Sequence, residues 1–153
     1  MPNLTCLAVC PDGFYRELTH LLCLDVCLEG TFADNDTLNC VGSCSASTHS
    51  FADPTSGFCV QMCPSDPDLY GHTNKCITRC PSGWYAENFT RTCVQICPNT
   101  SLTVLNASWA DALTRRCLKV CSSLSYAFTN STENVCLNDC PLGTWASIST
   151  QSC

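Results

Sequence analysis

The chain has 153 residues, 17 of them cysteine, and its formal net charge is −6. Cysteine at this density is typical of a secreted disulfide scaffold that lacks a large buried core, and it indicates an oxidising compartment. The seven Lys and Arg residues are scattered, so the sequence offers no basic stripe for the phosphates of nucleic acid or of an anionic membrane surface. No apolar run approaches the roughly 20 residues that span a bilayer.

Cysteines recur along the chain in pairs with the spacing C-x3-C. The first cysteines of successive pairs are separated by 17, 17, 19, 17, 17, 24, 19 and 17 residues, and this regularity indicates one unit repeated in tandem over residues 1–153. The units begin at Cys6, Cys23, Cys40, Cys59, Cys76, Cys93, Cys117 and Cys136, the second cysteines of the pairs are Cys10, Cys27, Cys44, Cys63, Cys80, Cys97, Cys121 and Cys140, and Cys153 opens a ninth pair.

Other residue types repeat in phase with the cysteines. An aliphatic residue follows each first cysteine of the eight pairs, a proline follows the second cysteine in five units, and an aromatic residue comes a few positions later. Each unit carries too few apolar residues to fold alone, so we expect each aromatic to stack on the next unit. Proline ends a strand and the following glycine permits a turn. The predicted fold is a small disulfide-rich repeat protein, an extended rod of about eight stacked single-disulfide modules with short irregular β-strands and little helix.

One loop between cysteines, residues 98–116, has 19 residues where most have 12. Within it Leu105, Trp109 and Leu113 recur at i, i+4 and i+8, as on one face of a helix. The Ser-Trp-Ala-Asp sequence at this point has the form of a capping box. We therefore predict a short projecting helix at 109–115. Trp109 then either packs on its own module or contacts a partner.

Two simple disulfide registers fit the spacing. The first joins the second cysteine of each pair to the first cysteine of the next pair, and it leaves Cys6 without a partner in the chain. The second joins cysteines one-to-three and two-to-four, and it leaves Cys153. Because the number of cysteines is odd, at least one must lack a partner within the chain, and the sequence alone does not choose between the registers.

The spacing C-x3-C-P-x(n)-C-V-x3-C resembles the furin-like, growth-factor-receptor cysteine-rich repeat, and residues 76–97, CITRCPSGWYAENFTRTCVQIC, match it best. Similar arrays occur in surface proteins of single-celled eukaryotes. The resemblance implies a rod of single-disulfide loops and the first register. The chain has no alternating two-disulfide modules and no evident dimerisation arm, so receptor function is not carried over. The implied pairs are Cys10–Cys23, Cys27–Cys40, Cys44–Cys59, Cys63–Cys76, Cys80–Cys93, Cys97–Cys117, Cys121–Cys136 and Cys140–Cys153, with Cys6 bonded to a cysteine outside this segment of a longer array.

Sequons for N-glycosylation are the clearest local motif. Six N-x-[ST] sequences are present, and three of them lie five or six residues before a first cysteine, where a turn is expected. In a secreted chain such exposed turns accept glycans. The predicted glycosylation sites are Asn3, Asn35, Asn88, Asn99, Asn106 and Asn130.

Metal binding and catalysis find less support in the sequence. Zinc sites also use paired cysteines, but even repetition together with sequons favours disulfides. His20, His49 and His72 do not recur in phase, and the acidic cluster at 34–36 lacks the Gly and Glu of a calcium loop. Oxidised cysteines are not nucleophiles, and no C-x-x-C redox motif occurs. We predict no metal, no cofactor and no catalytic residues.

These features predict an extracellular structural glycoprotein that forms part of a fibre, coat or surface stalk, outside the cell or on its surface. Its expected partners are further copies of itself or other extracellular structural chains, with covalent glycans, and neither nucleic acid nor membrane insertion. The alternative is a receptor or adhesin ectodomain that binds a protein or glycan through the Trp109 loop. A flanking transmembrane helix would favour the receptor, and further repeats would favour the fibre.

Overall fold

The structure is a computed structural model that describes residues 9–44, 50–98, 108–129 and 134–153. Its contacts divide the chain into two compact units, Met1–Pro67 with Gly71–Cys76, and Asp68–Tyr70 with Ile77–Cys153. Eight disulfides close eight successive loops, which we call modules 1 to 8. The disulfides are those of the register implied by the resemblance. In module order they are Cys10–Cys23, Cys27–Cys40, Cys44–Cys59, Cys63–Cys76, Cys80–Cys93, Cys97–Cys117, Cys121–Cys136 and Cys140–Cys153.

Each module is built around a short hairpin whose second strand carries, or leads into, the closing cysteine. In module 1, β1 (Tyr15–Glu17) pairs antiparallel with β2 (Leu22–Leu24). Module 8 has a single bridge between Ser147 and Ser152 in place of strands. These hairpins confirm the predicted array of single-disulfide modules with short strands. The strands of modules 2 to 7 are β3 (Phe32–Asp34), β4 (Asn39–Val41), β5 (Phe51–Ala52), β6 (Cys59–Val60), β7 (Tyr70–His72), β8 (Lys75–Ile77), β9 (Tyr85–Glu87), β10 (Thr92–Val94), β11 (Trp109–Asp111), β12 (Arg116–Leu118), β13 (Tyr126–Thr129) and β14 (Asn134–Leu137).

The Pro-x-Gly sequence forms the turn that the sequence predicted. In module 1 the Phe14 N–H donates to the Pro11 carbonyl at 3.1 Å, and Gly13 between them has a φ of 83°. A positive φ at the third turn position defines a type II turn and favours glycine there. The turn directs the chain from the disulfide into the first strand of the hairpin.

The predicted helix at 109–115 is wrong. Residues 109–111 form β11, which pairs antiparallel with β12 and parallel with β14, and a turn follows. The Asp111 carboxylate accepts the Thr114 N–H at 3.2 Å and its hydroxyl at 2.5 Å, which closes that turn. Strand pairing on both sides therefore outweighs the helical spacing, and Leu113 lies in the turn with 81% of its surface exposed. Leu105 and the rest of 99–107 lie outside the described residues.

The buried interior consists mainly of disulfides and alanines, with a few large side chains such as Tyr70, in separate clusters within each unit. In the first unit Cys44, Ala52 and Cys59 pack with Phe32 and Val41. Cystine replaces the large aliphatic core of an ordinary domain, as the composition predicted. In the second unit one cluster contains Tyr70, Cys80, Ala86 and Cys93 with Ile77 and Trp84, and another contains Cys97, Ala110 and Cys117 with Tyr85, Val94 and Val135.

Strands of successive modules also pair with each other. In the first unit one sheet has the strand order β2-β1-β4-β3, and β8, β5 and β6 are neighbours, in that order, in a second sheet. In the second unit the order is β13-β14-β11-β12-β9-β10. The first strand of one module pairs parallel with the second strand of the next, as Arg16 does with Asn39. The sheets therefore form because successive modules pair their strands in the same way.

Candidate functional site

An acidic side chain holds the turn between the two strands of most hairpins. In module 1 the Glu17 carboxylate accepts the N–H of His20 at 2.6 Å and that of Thr19 at 3.0 Å. The His20 amide is the main reason that the pKa of Glu17 falls from 4.5 to about 2, because a donor at this distance stabilises the anion. In other hairpins, a backbone N–H of the turn donates in the same way to the carboxylate of Asp34, Asp53, Glu87 or Asp111.

In seven of the eight modules the residue two positions before the closing cysteine has a left-handed backbone, and this residue links neighbouring modules. Leu38 has a φ of 55°, and its carbonyl accepts the Arg16 N–H of the preceding module at 2.9 Å. Arg115, with a φ of 56°, likewise accepts the Ala86 N–H at 2.8 Å. We call this hydrogen bond, with its parallel strand pair, the module junction. The described junction bonds are Arg16–Leu38, Ala33–Gly57, Ala52–Asn74, Ala86–Arg115 and Ala127–Gln151.

The residue after the aromatic that opens the first strand is alanine or glycine in modules 2 to 7, whereas module 1 has the exposed Arg16 there. Ala52 is 1% exposed and Ala86 is 3% exposed, because each packs against the disulfide of its own module and against the preceding module. Module 4 has Gly71 at this position, and a Cβ there would lie 2.5 Å from the Phe51 ring. The signal was present in the sequence as a recurrent aromatic-Ala-acid triplet, which Trp109-Ala110-Asp111 also follows.

The second unit contains a charged cluster around a buried tyrosine. The Arg91 guanidinium lies 4.3 Å from the Tyr70 ring centroid, and that of Arg116 lies 5.4 Å away. Both arginines donate to the Asp68 carboxylate. Burial raises the pKa of Asp68, but the hydrogen bonds from Arg116 and Arg91 outweigh it, and the pKa lies below 3.8. The cluster orients Tyr70 by cation–π and ionic contacts, which is a structural role.

Two of the six predicted glycosylation sites fall in the described residues, and they share one geometry. Asn35 and Asn88 are both exposed. The Tyr15 hydroxyl donates to the Asn35 Oδ1 at 2.6 Å, and the Tyr70 hydroxyl donates to the Asn88 Oδ1 at 2.7 Å. In each case the tyrosine opens the first strand of the preceding module. The carbonyl oxygen of each amide is thus occupied, while the amide nitrogen, the atom that carries an N-glycan, forms no side-chain bond to that tyrosine.

The remaining predicted residues lie apart from one another. Trp109 is half-buried in β11, and its indole N–H donates to the Thr129 hydroxyl at 3.3 Å, so it is part of a junction face and not of a projecting helix. The His20 Nδ1 lies 3.0 Å from a Glu17 oxygen, which makes it part of a turn. Outside the described residues lie Asn3, Cys6, His49, Asn99, Asn106 and Asn130.

A cleft beside Asn88 was not predicted from the sequence. It has a volume of about 480 Å³ and is lined by residues 87–90, Pro98, Ser108 and 117–119. Phe89, the middle residue of the sequon, is 86% exposed at this place. Burial raises the pKa of Glu87 at the rim, but the backbone amides of Phe89 and Thr90 outweigh it, and the pKa is lowered. A glycan on Asn88 would lie next to this cleft.

Eight disulfides are typical of a chain that folds in an oxidising compartment. Within the described ranges, no helix has the length and apolarity to span a bilayer. No protein-family model matches the chain, and neither the curated proteins nor the solved structures contain a significant match.

Proposed function

We propose that the chain is part of an extracellular structural glycoprotein, a component of a fibre, coat or surface stalk. The observation that carries this proposal is the uniformity of the module junction, since the same backbone hydrogen bond recurs at five described junctions. When every module binds its neighbour in the same way, further modules can be added to the array without a new kind of interface. This property suits a chain whose role is structural.

The covalent framework supports an extracellular setting. Closing one loop of this size removes roughly 3 kcal/mol of unfolded-chain entropy in the loop model, and every module is closed in this way. Cystines therefore stabilise modules whose apolar interior is small. The furin-like resemblance of residues 76–97 points to the same kind of extracellular array.

The turn geometry supports glycosylation at two sites. Asn35 and Asn88 sit in the exposed turn after the acidic residue of their hairpins. Each Oδ1 accepts a tyrosine hydroxyl, and that bond remains possible when the amide nitrogen carries a sugar. Glycans at these turns would cover the backbone where proteases would otherwise reach it.

The second candidate function is a receptor or adhesin ectodomain. The cleft beside Asn88 and the exposed Phe89 favour it, because a concave surface with an exposed aromatic suits recognition. If this role holds, Phe89→Ser abolishes adhesion of the chain to its target cells, whereas Leu142→Ser, a change at another exposed apolar residue, leaves adhesion intact.

The test is fractionation of the source cells followed by glycopeptide mapping. We expect the chain in a detergent-insoluble layer outside the cell, with glycans on Asn35 and Asn88 and with no free thiol among its sixteen module cysteines. Recovery in a detergent-soluble membrane fraction would favour the receptor. Recovery in the cytosol with reduced cysteines would contradict both functions.

A further inference from the structure

The sequons at Asn35 and Asn88 lie in hairpin turns that hold their acceptor groups in place. A sequon presents two groups to the enzyme that glycosylates it, the carboxamide of the asparagine and the hydroxyl two residues later. In both turns the carboxamide oxygen accepts a hydroxyl from a tyrosine of the preceding module, Tyr15 or Tyr70. Both tyrosines are buried, so the amide is fixed only once the preceding module has packed against the turn.

The second group of each sequon is also bound within the turn. The Thr37 hydroxyl donates to the Asp34 carboxylate at 2.8 Å, and the Thr90 hydroxyl donates to the Glu87 carboxylate at 2.7 Å. The same carboxylate accepts the N–H of the middle residue of the sequon, at 3.1 Å in the first turn and at 2.9 Å in the second. Asp34 and Glu87 each stand directly before the asparagine, so one side chain fixes the other two residues of each sequon.

A disulfide closes each hairpin around its sequon. In module 2 the paired strands β3 and β4 flank the turn, and Cys40 in β4 is bonded to Cys27. In module 5 the paired strands β9 and β10 flank it, and Cys93 in β10 is bonded to Cys80. Each asparagine precedes this closing cysteine by five residues. Because a chain is synthesised from its N-terminus, the acceptor asparagine enters the secretory compartment while its module is still open.

We propose that the glycans of Asn35 and Asn88 are transferred only before their modules close, and that the closed turn is not a substrate of the transferase. The proposal rests on the glycoprotein function proposed above and adds the order of its reactions. In the transfer, the asparagine Nδ2 bonds to C1 of a lipid-linked oligosaccharide, the bond from C1 to the lipid pyrophosphate breaks, and Nδ2 loses a proton. The lone pair of an amide nitrogen is delocalised into its carbonyl. A tyrosine hydroxyl bound to Oδ1 favours that delocalisation, so Nδ2 is a poorer nucleophile in the folded turn.

The test measures glycan transfer to the finished fold. The whole chain, carrying Cys6→Ser to prevent an intermolecular disulfide, is produced in the bacterial periplasm, where disulfides form without N-glycans, and its disulfides are checked by peptide mapping. One half of the sample is then reduced and alkylated. Both halves receive a microsomal transferase and a lipid-linked oligosaccharide, and mass spectrometry follows the glycan on each asparagine. We expect initial transfer to Asn35 and Asn88 to be at least about tenfold slower in the oxidised chain, because two or more hydrogen bonds must open there. Equal initial rates in the two halves overturn the proposal.

Two tyrosine variants of the oxidised chain separate this mechanism from a general effect of folding. Tyr70→Phe removes the hydroxyl that holds the Asn88 amide and keeps the ring on which the arginines lie. We expect it to raise transfer to Asn88 by about 2- to 10-fold, the equivalent of one hydrogen bond, and to leave transfer to Asn35 unchanged. Tyr15→Phe should do the converse, so each variant is the control for the other.

The proposal is overturned if neither variant changes transfer at its own asparagine, or if either variant changes both asparagines equally. Where peptide mapping shows altered disulfides in one variant, the other variant decides. Native material tests the function separately. Chains isolated from their source without glycans on Asn35 and Asn88 would refute the glycoprotein role, whereas the ratio of transfer rates in vitro decides the order of the reactions.

Discussion

The requirement for glycine at position 71 gives a quantitative test of the module junction. A Cβ added to Gly71 would lie 2.5 Å from Cε1 and 2.6 Å from Cζ of Phe51, whereas carbon atoms in contact prefer about 3.5–4.0 Å. The ring must therefore move by roughly an ångström, and overpacking of this kind costs about 1–3 kcal/mol. Replacement of glycine by alanine also lowers the entropy of the unfolded chain, which returns about 0.4–1 kcal/mol. We expect Gly71→Ala to reduce the free energy of unfolding by about 0.5–2 kcal/mol.

Gly42→Ala is the matched control. A Cβ at Gly42 meets nothing within 4 Å, and its φ lies outside the left-handed region, so this variant is expected to be as stable as the parent or slightly more stable. Calorimetry under non-reducing conditions should show a lower melting temperature for Gly71→Ala, by about 1–8 °C. Phe51→Ala should relieve the clash, so the double variant loses less than the sum of the single variants. Equal melting temperatures for Gly71→Ala and Gly42→Ala would refute the packing described at this junction.

Three further predictions concern the turns, the charged cluster and the sequons. The pKa of Glu17 is about 2 in the fold and 4.5 ordinarily, so its contribution to stability is complete above pH 4.5 and is lost as the pH falls through 2. In urea unfolding, Glu17→Gln is therefore less stable than the parent at pH 7, and the difference shrinks as the pH approaches 2. Asp68→Asn removes the partner of two arginines from a partly exposed site and lowers the free energy of unfolding by about 1 kcal/mol, whereas the exposed Asp139→Asn leaves it unchanged. Thr90→Ala abolishes the glycan on Asn88 and Thr90→Ser retains it, as shown by the mass lost on enzymatic deglycosylation.

The repeat and the turns could be predicted because they depend on local chemistry. Even cysteine spacing set the limits of the modules, and Pro-x-Gly at Pro11 and Gly13 set the type II turn. The choice between disulfide registers could not be made from spacing, because both registers close short loops. Register depends on which Cβ atoms face each other across a hairpin, and a sequence does not state this geometry.

The error at 109–115 has a specific cause. Leu105, Trp109 and Leu113 satisfied a helical period, but three positions are too few to separate a helix from a strand followed by a turn. The competing signal was the triplet Trp109-Ala110-Asp111, which repeats Phe32-Ala33-Asp34. In a repeat protein, agreement with the other copies is a stronger guide than local periodicity, because each copy packs in the same environment.

Neither the module junction nor the cleft could be predicted from the sequence, because no residue type marks either of them. The left-handed backbone falls on residues as different as Leu38, Asn74 and Arg115, so no residue type marks the acceptor. The acceptor is instead the last residue of the turn between the two strands, and the junction follows from that position. The cleft beside Asn88 is lined by residues from two modules, so its existence depends on how those modules pack together.

The central claim is that each module is closed by one disulfide from the second cysteine of a pair to the first cysteine of the next. Non-reducing peptide mapping by mass spectrometry, with the glycans retained, tests it most directly. Linked peptides should contain Cys10 with Cys23, Cys80 with Cys93 and the other pairs in the same order. Peptides that join cysteines one-to-three, or module cysteines recovered as free thiols, would contradict the account.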